Sequence, residues 1–237
     1  MIPCVWYVSR TVNPWEQALI GSMAAALRAR GAFPLSLYID GGTGDVEGEP
    51  CSWRALTGLE RAGRILGRKA LWHLWGSAPS WWGLIRLRFR TVHTSFDEKP
   101  SWRGYPSRLF PEPAREGEAV LIPTFNVRGV TDNAQSGLHV AGPRPLDALH
   151  AASLTMRGLV VAALSSPSLD ALLGPEGYFR VPRDTEEDWR RALEITASEP
   201  GRRLAAAARH HIKDHCSADQ CADSLIALYR EVMGSMR

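Results

Sequence analysis

Three histidines and two cysteines crowd into one stretch near the end of the chain, RHHIKDHCSADQC from Arg209 to Cys221. On a helix, His211 and His215 stand one turn apart on one face, the spacing with which helical histidines bind zinc. Cys216 and Cys221 extend the set of soft ligands. The chemistry to weigh is therefore a metal site. Against it stands Ser217, a good helix cap, between His215 and Cys221. A helix that starts there breaks the preceding one, so the four ligands need not share a face. Solvated histidines and inert thiols are the plainer account, and no metal is expected.

Other chemistry is excluded motif by motif. No G-x-S-x-G supports a serine nucleophile on a strand-to-helix elbow. No G-x-G-x-x-G follows the first apolar run, and His210 and His211 lack an H-E-x-x-H context. The glycine-rich GGTGDVEGEP at 41–50 follows the second apolar run and has no Lys-Ser/Thr, so it reads as an acidic surface loop rather than a phosphate cradle. Four positions remain: His73 in ALWHLWG, His93 in RTVHTSFD, Arg10 just after the first apolar run, and Arg144 ahead of an alanine-rich segment.

The elements that must position them are legible from pattern. IPCVWYVS, FPLSLYID, ALWHLWG, RTVHTSF and EAVLIPTFNV are short runs rich in β-formers and read as buried strands. Between the first two, NPWEQALIGSMAAALRARG has a capping asparagine, a proline at the first helical position, Glu16 three residues after the cap and a terminal glycine, which define a helix. A β-α-β opening of this kind is the unit of a parallel doubly wound sheet. SWRALTGLERAGRILGRK reads as a helix capped by Ser52, and SWWGLIRLRF as a short one. The proline-dense DEKPSWRGYPSRLFPEPAREGE reads as loop, and residues 129–143 as a hinge or connector. Beyond them PLDALHAASLTM is helical, GLVVAA a strand, SLDALLG a short helix and GYFRVP a strand. Three helices close the chain: Thr185 to Ser198 with Asp184 as cap, Pro200 to His215, and Ser217 to Met233. In the last, Ala222, Leu225, Tyr229 and Val232 form a packing stripe.

Composition sets the class. The chain has 237 residues, 45% hydrophobic and 22% charged, which suits one large domain or two small ones of an ordinary globular protein. A net charge of +3 without basic runs gives no reason to invoke nucleic acid. No apolar stretch reaches the roughly 18 residues that span a bilayer, and MIPCVWYVSR lacks the charged start and long apolar core of a signal peptide. A cytoplasmic chain with no transmembrane segment is expected. Its four cysteines include no C-x-x-C pair and are expected to be reduced. Five of the nine tryptophans (Trp53, Trp72, Trp75, Trp81, Trp82) fall close together and read first as core, with a membrane-proximal or ligand-facing aromatic surface as the alternative.

Taken in order, HAASLTMRGLVVAA, SLDALLGPEGYFRVPRDTEEDWRRALE and GRRLAAAARHHIKDHCSADQCADSLIALYREVM resemble the carboxyl-terminal part of retaining glycosyltransferases of family 4. That family runs from a G-x-P-V-V-A strand through a G-x-L-V-P-x-G-D turn, matched at Asp184, to a last helix ending L-Y-R-E-V. ALWHLWG and RTVHTSFD sit where the family carries V-x-H-x-H and T-x-H-D strands, and AVLIPTFNV resembles its V-x-V-I-P-N-G-V-D strand. The resemblance implies an α/β, GT-B-like fold. Residues 1–128 would form a Rossmann-like, acceptor-type lobe with a parallel sheet. Residues 129–237 would form a truncated donor-type α/β lobe of two or three strands with closing helices. It also answers the opening question: DHCSADQCADSLIALYREV stands in the place of a packing helix, not of a metal site.

The same resemblance implies transfer of a sugar from a nucleotide-sugar donor to a glycan acceptor, in surface glycan synthesis, with no cofactor beyond the nucleotide-sugar itself. His73 and His93 are its catalytic candidates: a histidine at such a strand end could bind an acceptor hydroxyl or steady the donor sugar. A buried imidazole hydrogen-bonded to backbone is the alternative for each. Arg10 and Arg144 are the candidates for donor phosphate, and a solvated arginine is the alternative for Arg144. Glu176 reads as a turn residue. The departures are as informative. The G-R-x-x-x-K-G segment that neutralises the diphosphate is missing. HVAGPRPLDALHAASLTM, with Asp147 as its one carboxylate, replaces E-G-F-G-x-x-x-x-E. Two further readings therefore stay open. One is a catalytically inactive GT-B-like scaffold that binds a partner glycosyltransferase subunit or a glycan. The other is an unrelated α/β binding domain.

Overall fold

A computed structural model describes residues 2–9, 12–40, 44–45, 52–55, 70–77, 90–96, 104–112, 115–125 and 138–234. The chain forms two compact units. The first takes Met1–Leu109, Pro113–Thr124 and Ala218–Arg237; the second takes Phe110–Glu112 and Phe125–Ser217.

The first unit opens with strand β1 (Cys4–Val8), all five residues buried, as a parallel strand covered on both faces requires. Helix α1 (Pro14–Arg30) follows. Its capping box is complete: Asn13 N–H donates to Glu16 Oε2 at 2.8 Å and Glu16 N–H to Asn13 Oδ1 at 3.0 Å. Gly31, at φ 61°, ends it in the left-handed conformation that side chains resist. Then come β2 (Leu35–Ile39), β3 (Gly44–Asp45), β4 (Ser52–Ala55), β5 (Leu71–Trp75), β6 (Arg90–Thr94), β7 (Tyr105–Leu109) and β8 (Ala119–Leu121). The sheet order is β3-β4-β2-β1-β5-β6-β7-β8. Every pairing in it is parallel except β3 with β4. The chain walks outward from β1 to β4, then returns to lay β5 on the other side of β1. That reversal makes the carboxyl ends of β1 and β5 a topological switch point, where open α/β sheets bind ligands.

Three expectations are corrected here. Ser52–Ala55 is a strand paired with β2, not the start of a helix; the pairing of Tyr38 with Arg54 and Ile39 with Ala55 overrides a local helical pattern. Tyr105–Leu109 is a strand inside the proline-dense segment, with Pro106 opposite His93 in the register. The loop at 41–50 contains β3. The rest of the expected helix to Lys69, and the short helix at 80–89, lie outside the described residues.

The second unit holds a three-stranded parallel sheet, order β11-β10-β9. Strand β9 (Leu138–Val140) falls in the segment expected to be a connector. Helix α2 (Pro145–Met156), β10 (Val160–Ala163), α3 (Pro167–Leu173), β11 (Phe179–Arg180), α4 (Glu186–Thr196) and α5 (Glu199–His215) follow as the alternation predicts. Thr185, not Asp184, caps α4: its Oγ1 accepts from Asp188 N–H at 3.3 Å, while Asp184 accepts from the Trp189 indole at 2.8 Å.

The last helix, α6 (Ala218–Gly234), belongs to the first unit, whereas sequence placed it in the second lobe. It packs chiefly on α1, β8 and β6. Ala222, Leu225, Tyr229 and Val232 are all buried, as their spacing predicts. Ser224 Oγ accepts from Ile122 N–H at 3.1 Å, and Arg30 pairs with Asp219 and Asp223. Among the described residues no helix is long and apolar enough to cross a membrane.

Candidate functional site

The switch point is built from backbone first. Ser9 N–H donates to Trp75 O at 3.0 Å, tying the end of β1 to the end of β5. Gly76 N–H donates to Thr94 O at 2.9 Å, tying β5 to β6. Gly76 sits at φ 83°, a conformation open to glycine and costly to any residue with a Cβ. Its carbonyl accepts from His93 Nε2 at 2.7 Å.

That hydrogen bond decides the chemistry of His93. A carbonyl oxygen only accepts, so Nε2 carries the proton. Burial lowers the pKa below the usual 6.5, against a smaller raising effect of the Gly76 carbonyl, so the ring is neutral at pH 7. Nδ1 is then a bare lone pair, and among the described residues no donor fills it. His93 is 5% exposed. It is a neutral acceptor one residue before the carboxyl end of β6, suited to take the proton side of a hydroxyl.

His73 meets a different fate one strand away. It sits mid-strand, at 0% exposure. Its Nδ1 lies 2.7 Å from Tyr229 Oη and its Nε2 2.8 Å from Thr94 Oγ1. Thr94 Oγ1 in turn bonds Ser107 Oγ. The ring stacks on Trp75 at 4.1 Å between centroids and meets Trp6 edge-on. Burial first, and then the nearby His93, drive its pKa well below 6.5. Both nitrogens are engaged and no ligand reaches them. Its partners are side chains, not the backbone expected of a core histidine. The two histidines lie on adjacent strands, with Leu74 opposite His93 and His73 opposite Val92.

Two aromatic residues belong to this region: Trp75, which the sequence offered only as one of a tryptophan cluster, and Phe96, which it did not single out. Trp75 is fully buried at the end of β5, and its indole N–H has no acceptor among the described residues, an omission that costs about 1–3 kcal/mol for a buried donor. Phe96, half-buried just past β6, stacks on Trp75 with centroids 6.4 Å apart and 29° between planes. A lone phenylalanine in a loop carries no sequence signal; only the fold lays it on Trp75. Arg10 lies outside the described residues.

In the second unit, Arg144 precedes α2, but its guanidinium is engaged. Nε and Nη2 each donate to Asp147 at 3.0 Å, and Asp147 also accepts from the Arg144 N–H at 3.3 Å. Asp147 thus closes the amino end of α2 with the chain's own carboxylate, and the arginine holds it below the usual 3.8. His139 and His150 stand beside it, ring centroids 5.2 Å apart. Burial lowers both imidazoles, and the Asp147 charge partly restores them. Glu176 is an exposed turn residue before β11.

The histidine-cysteine stretch resolves as packing and surface. His211 Nε2 donates to Ala171 O at 2.9 Å and His215 Nδ1 to His211 O at 2.9 Å, so each ring gives one nitrogen to backbone. Cys216 and Cys221 are buried free thiols, as is Cys4. Burial pushes Cys216 up to about 12, which leaves it a poor nucleophile and ligand. Among the described residues no group of three or more histidine, cysteine or acidic side chains is placed to hold a metal ion.

No protein-family model and no curated protein sequence matches the chain. Its fold is similar to that of a sucrose-phosphate synthase from Thermosynechococcus elongatus, with a TM-score of 0.61 over 98% of this chain and 100% of that one. Identity is 11%, so the likeness shows the fold: α/β, glycosyltransferase-like and GT-B-like, with Rossmann-like parallel strands. It does not single out family 4.

Proposed function

We propose that this chain transfers a sugar from a nucleotide-sugar donor to a hydroxyl of a glycan acceptor, with the acceptor bound at the carboxyl ends of β1, β5 and β6. The observation that carries the reading is His93. Its protonated Nε2 is anchored on Gly76 O at 2.7 Å, so the opposite nitrogen is fixed as an acceptor at the switch point. A sugar hydroxyl that donates to Nδ1 is oriented by that bond and made more nucleophilic. His73 has no contact with a reactant in this reading. It positions the end of β6 through Thr94 and holds α6 through Tyr229. Arg10 remains the candidate for donor phosphate in the first unit, and surface glycan synthesis the setting the resemblance suggests.

A second reading is supported by the second unit. Asp147 already neutralises Arg144, and the sequence lacks the basic and acidic motifs that grip a nucleotide-sugar. A non-catalytic scaffold that binds a glycan or a partner glycosyltransferase would need neither.

Thermal unfolding with UDP, GDP, ADP and their sugars separates the two. A ligand at 100 times its Kd raises stability by about 2.7 kcal/mol, an easily read rise in Tm. A shift with one nucleotide, and transfer to an added glycan that His93→Ala lowers by about 100-fold at unchanged nucleotide binding, supports transfer. Absence of any shift across the panel rejects it in favour of the scaffold.

A further inference from the structure

We propose that Gly76 is the positioning residue of the candidate acceptor site: its carbonyl, turned out of the sheet by a left-handed backbone, locks His93 in the Nε2–H tautomer and so keeps Nδ1 as the hydrogen-bond acceptor. The inference rests on the acceptor reading of the switch point and adds to it the residue that fixes the accepting atom.

The register sets the geometry. Leu74 lies opposite His93 and Trp75 opposite Thr94, so the His93 ring leaves the sheet on the face opposite to His73, Trp75 and Thr94. The hydroxyl network around His73 therefore lies across the sheet from it. Gly76 is the first residue past β5, and two consecutive residues of β6 hold both of its polar atoms. Its N–H donates to Thr94 O at 2.9 Å, which continues the ladder in the plane of the sheet. Its carbonyl leaves that plane and accepts from His93 Nε2 at 2.7 Å. A strand that ran on in extended form would keep both atoms in the ladder. The ladder ends because Gly76 stands at φ 83°, where glycine meets no steric cost and a residue with a Cβ is strained. A carbonyl oxygen can only accept. A neutral imidazole that gives its one proton to Gly76 O keeps a lone pair on Nδ1, and that lone pair takes an O–H or N–H. His93 is buried, so breaking the bond would orphan a buried donor, which holds the tautomer in place.

Side-chain nitrogen NMR of the histidines tests this on the full chain at a pH of about 8, above the usual imidazole value of about 6.5, so that the rings are neutral. The His93 signal is the one that disappears in His93→Gln. In the parent chain it is expected to carry its proton on Nε2. Gly76→Ala puts a Cβ at a positive φ, so the carbonyl should swing away and His93 should gain the Nδ1–H form. Gly76→Asn, whose side chain tolerates positive φ better, should fall between the parent and Gly76→Ala. Where transfer is measured, Gly76→Ala should lower kcat about tenfold at an unchanged nucleotide-sugar KM. The proposal is overturned if the parent carries the proton on Nδ1, if folded Gly76→Ala keeps the parent tautomer, if folded Gly76→Asn departs further than Gly76→Ala, or if Gly76→Ala moves only KM. Should Gly76→Ala not fold, the parent spectrum and Gly76→Asn carry the test, and a Gly76→Asn tautomer unchanged from the parent then overturns it. Failure of sugar transfer is read separately. The Nε2–H form in the parent and its loss in Gly76→Ala, without transfer from any nucleotide-sugar, would sink the transfer reading and leave this one standing. Transfer by the parent chain, with folded Gly76→Ala keeping the parent tautomer, would do the reverse.

Discussion

The two units solve one problem in opposite ways. Each brings strand ends and the start of a helix together, and each places titratable side chains there. In the first unit the imidazoles are neutral, and hydroxyls, carbonyls and aromatic rings surround them. In the second the dominant feature is an ion pair, Arg144 with Asp147, beside two half-buried histidines. Burial explains the difference. His73 is sealed, so a charge there would be prohibitive and a network of hydroxyls is the workable partner. Arg144 is 65% exposed at its side chain, so water shares the charge and an ion pair can stand there at little gain. A polar group's surroundings, more than its type, decide whether it can meet a ligand.

This contrast can be broken at its strongest point first. Tyr229→Ala removes a fully buried ring from the face of α6 and leaves His73 Nδ1 without a partner; a loss of about 3–5 kcal/mol in urea unfolding of the first unit is expected. Tyr229→Phe keeps the ring and removes only the hydroxyl. Its expected cost of about 1–3 kcal/mol is that of one orphaned buried group. If the two variants cost the same, packing contributes nothing and the hydroxyl network is the whole effect. In the second unit Gly177→Ala is the sharpest steric test. Its Cβ would lie 1.9 Å from Leu173 O and 2.9 Å from Ala208 Cα, so backbone must move, at about 1–3 kcal/mol.

Titration sharpens the contrast further. His73 and His93 have folded pKa values below the usual 6.5. Below that pH the unfolded chain takes up protons that the folded chain refuses, so stability falls as pH drops through 6.5 and is full above it. His73→Gln should flatten that slope in a series of urea melts from pH 7.5 to 5. Asp147 carries the same sign in a more acidic window. Its folded pKa lies below 3.8, so its contribution is present above that value and is lost only as pH falls through the folded pKa. The first unit should therefore weaken in mild acid while the Arg144 pair persists. Arg144→Ala is the smallest expected effect, less than about 1 kcal/mol for a pair this exposed. A larger loss would mean that the pair holds α2 in place.

Much of the fold was legible because its signals are local. The Asn13–Glu16 box, the β-rich runs of β1, β2, β5 and β6, and the stripe on α6 each lie within one element. The misses share a cause. Strands β4, β7 and β9 are short, and proline or helix-forming residues obscure them; they exist because a neighbouring strand offers an open edge. The same holds at the site. Sequence drew attention to His73 and His93 equally, since each sits in an apolar run at a similar place. It missed Phe96, whose meaning depends on Trp75.

By itself, then, the sequence determined the alternation of strands and helices, their caps, the buried face of the last helix and the histidines that merit attention. Tertiary structure alone decided which histidine is sealed and which can meet a ligand. His73 is closed by Tyr229, 156 residues further along the chain, while His93 is held by a backbone carbonyl that leaves its other nitrogen open. Local pattern fixes what an element is, because propensity and periodicity act over a few residues. What covers a side chain, and therefore its dielectric surroundings and its proton, is set by segments that meet only when the chain folds.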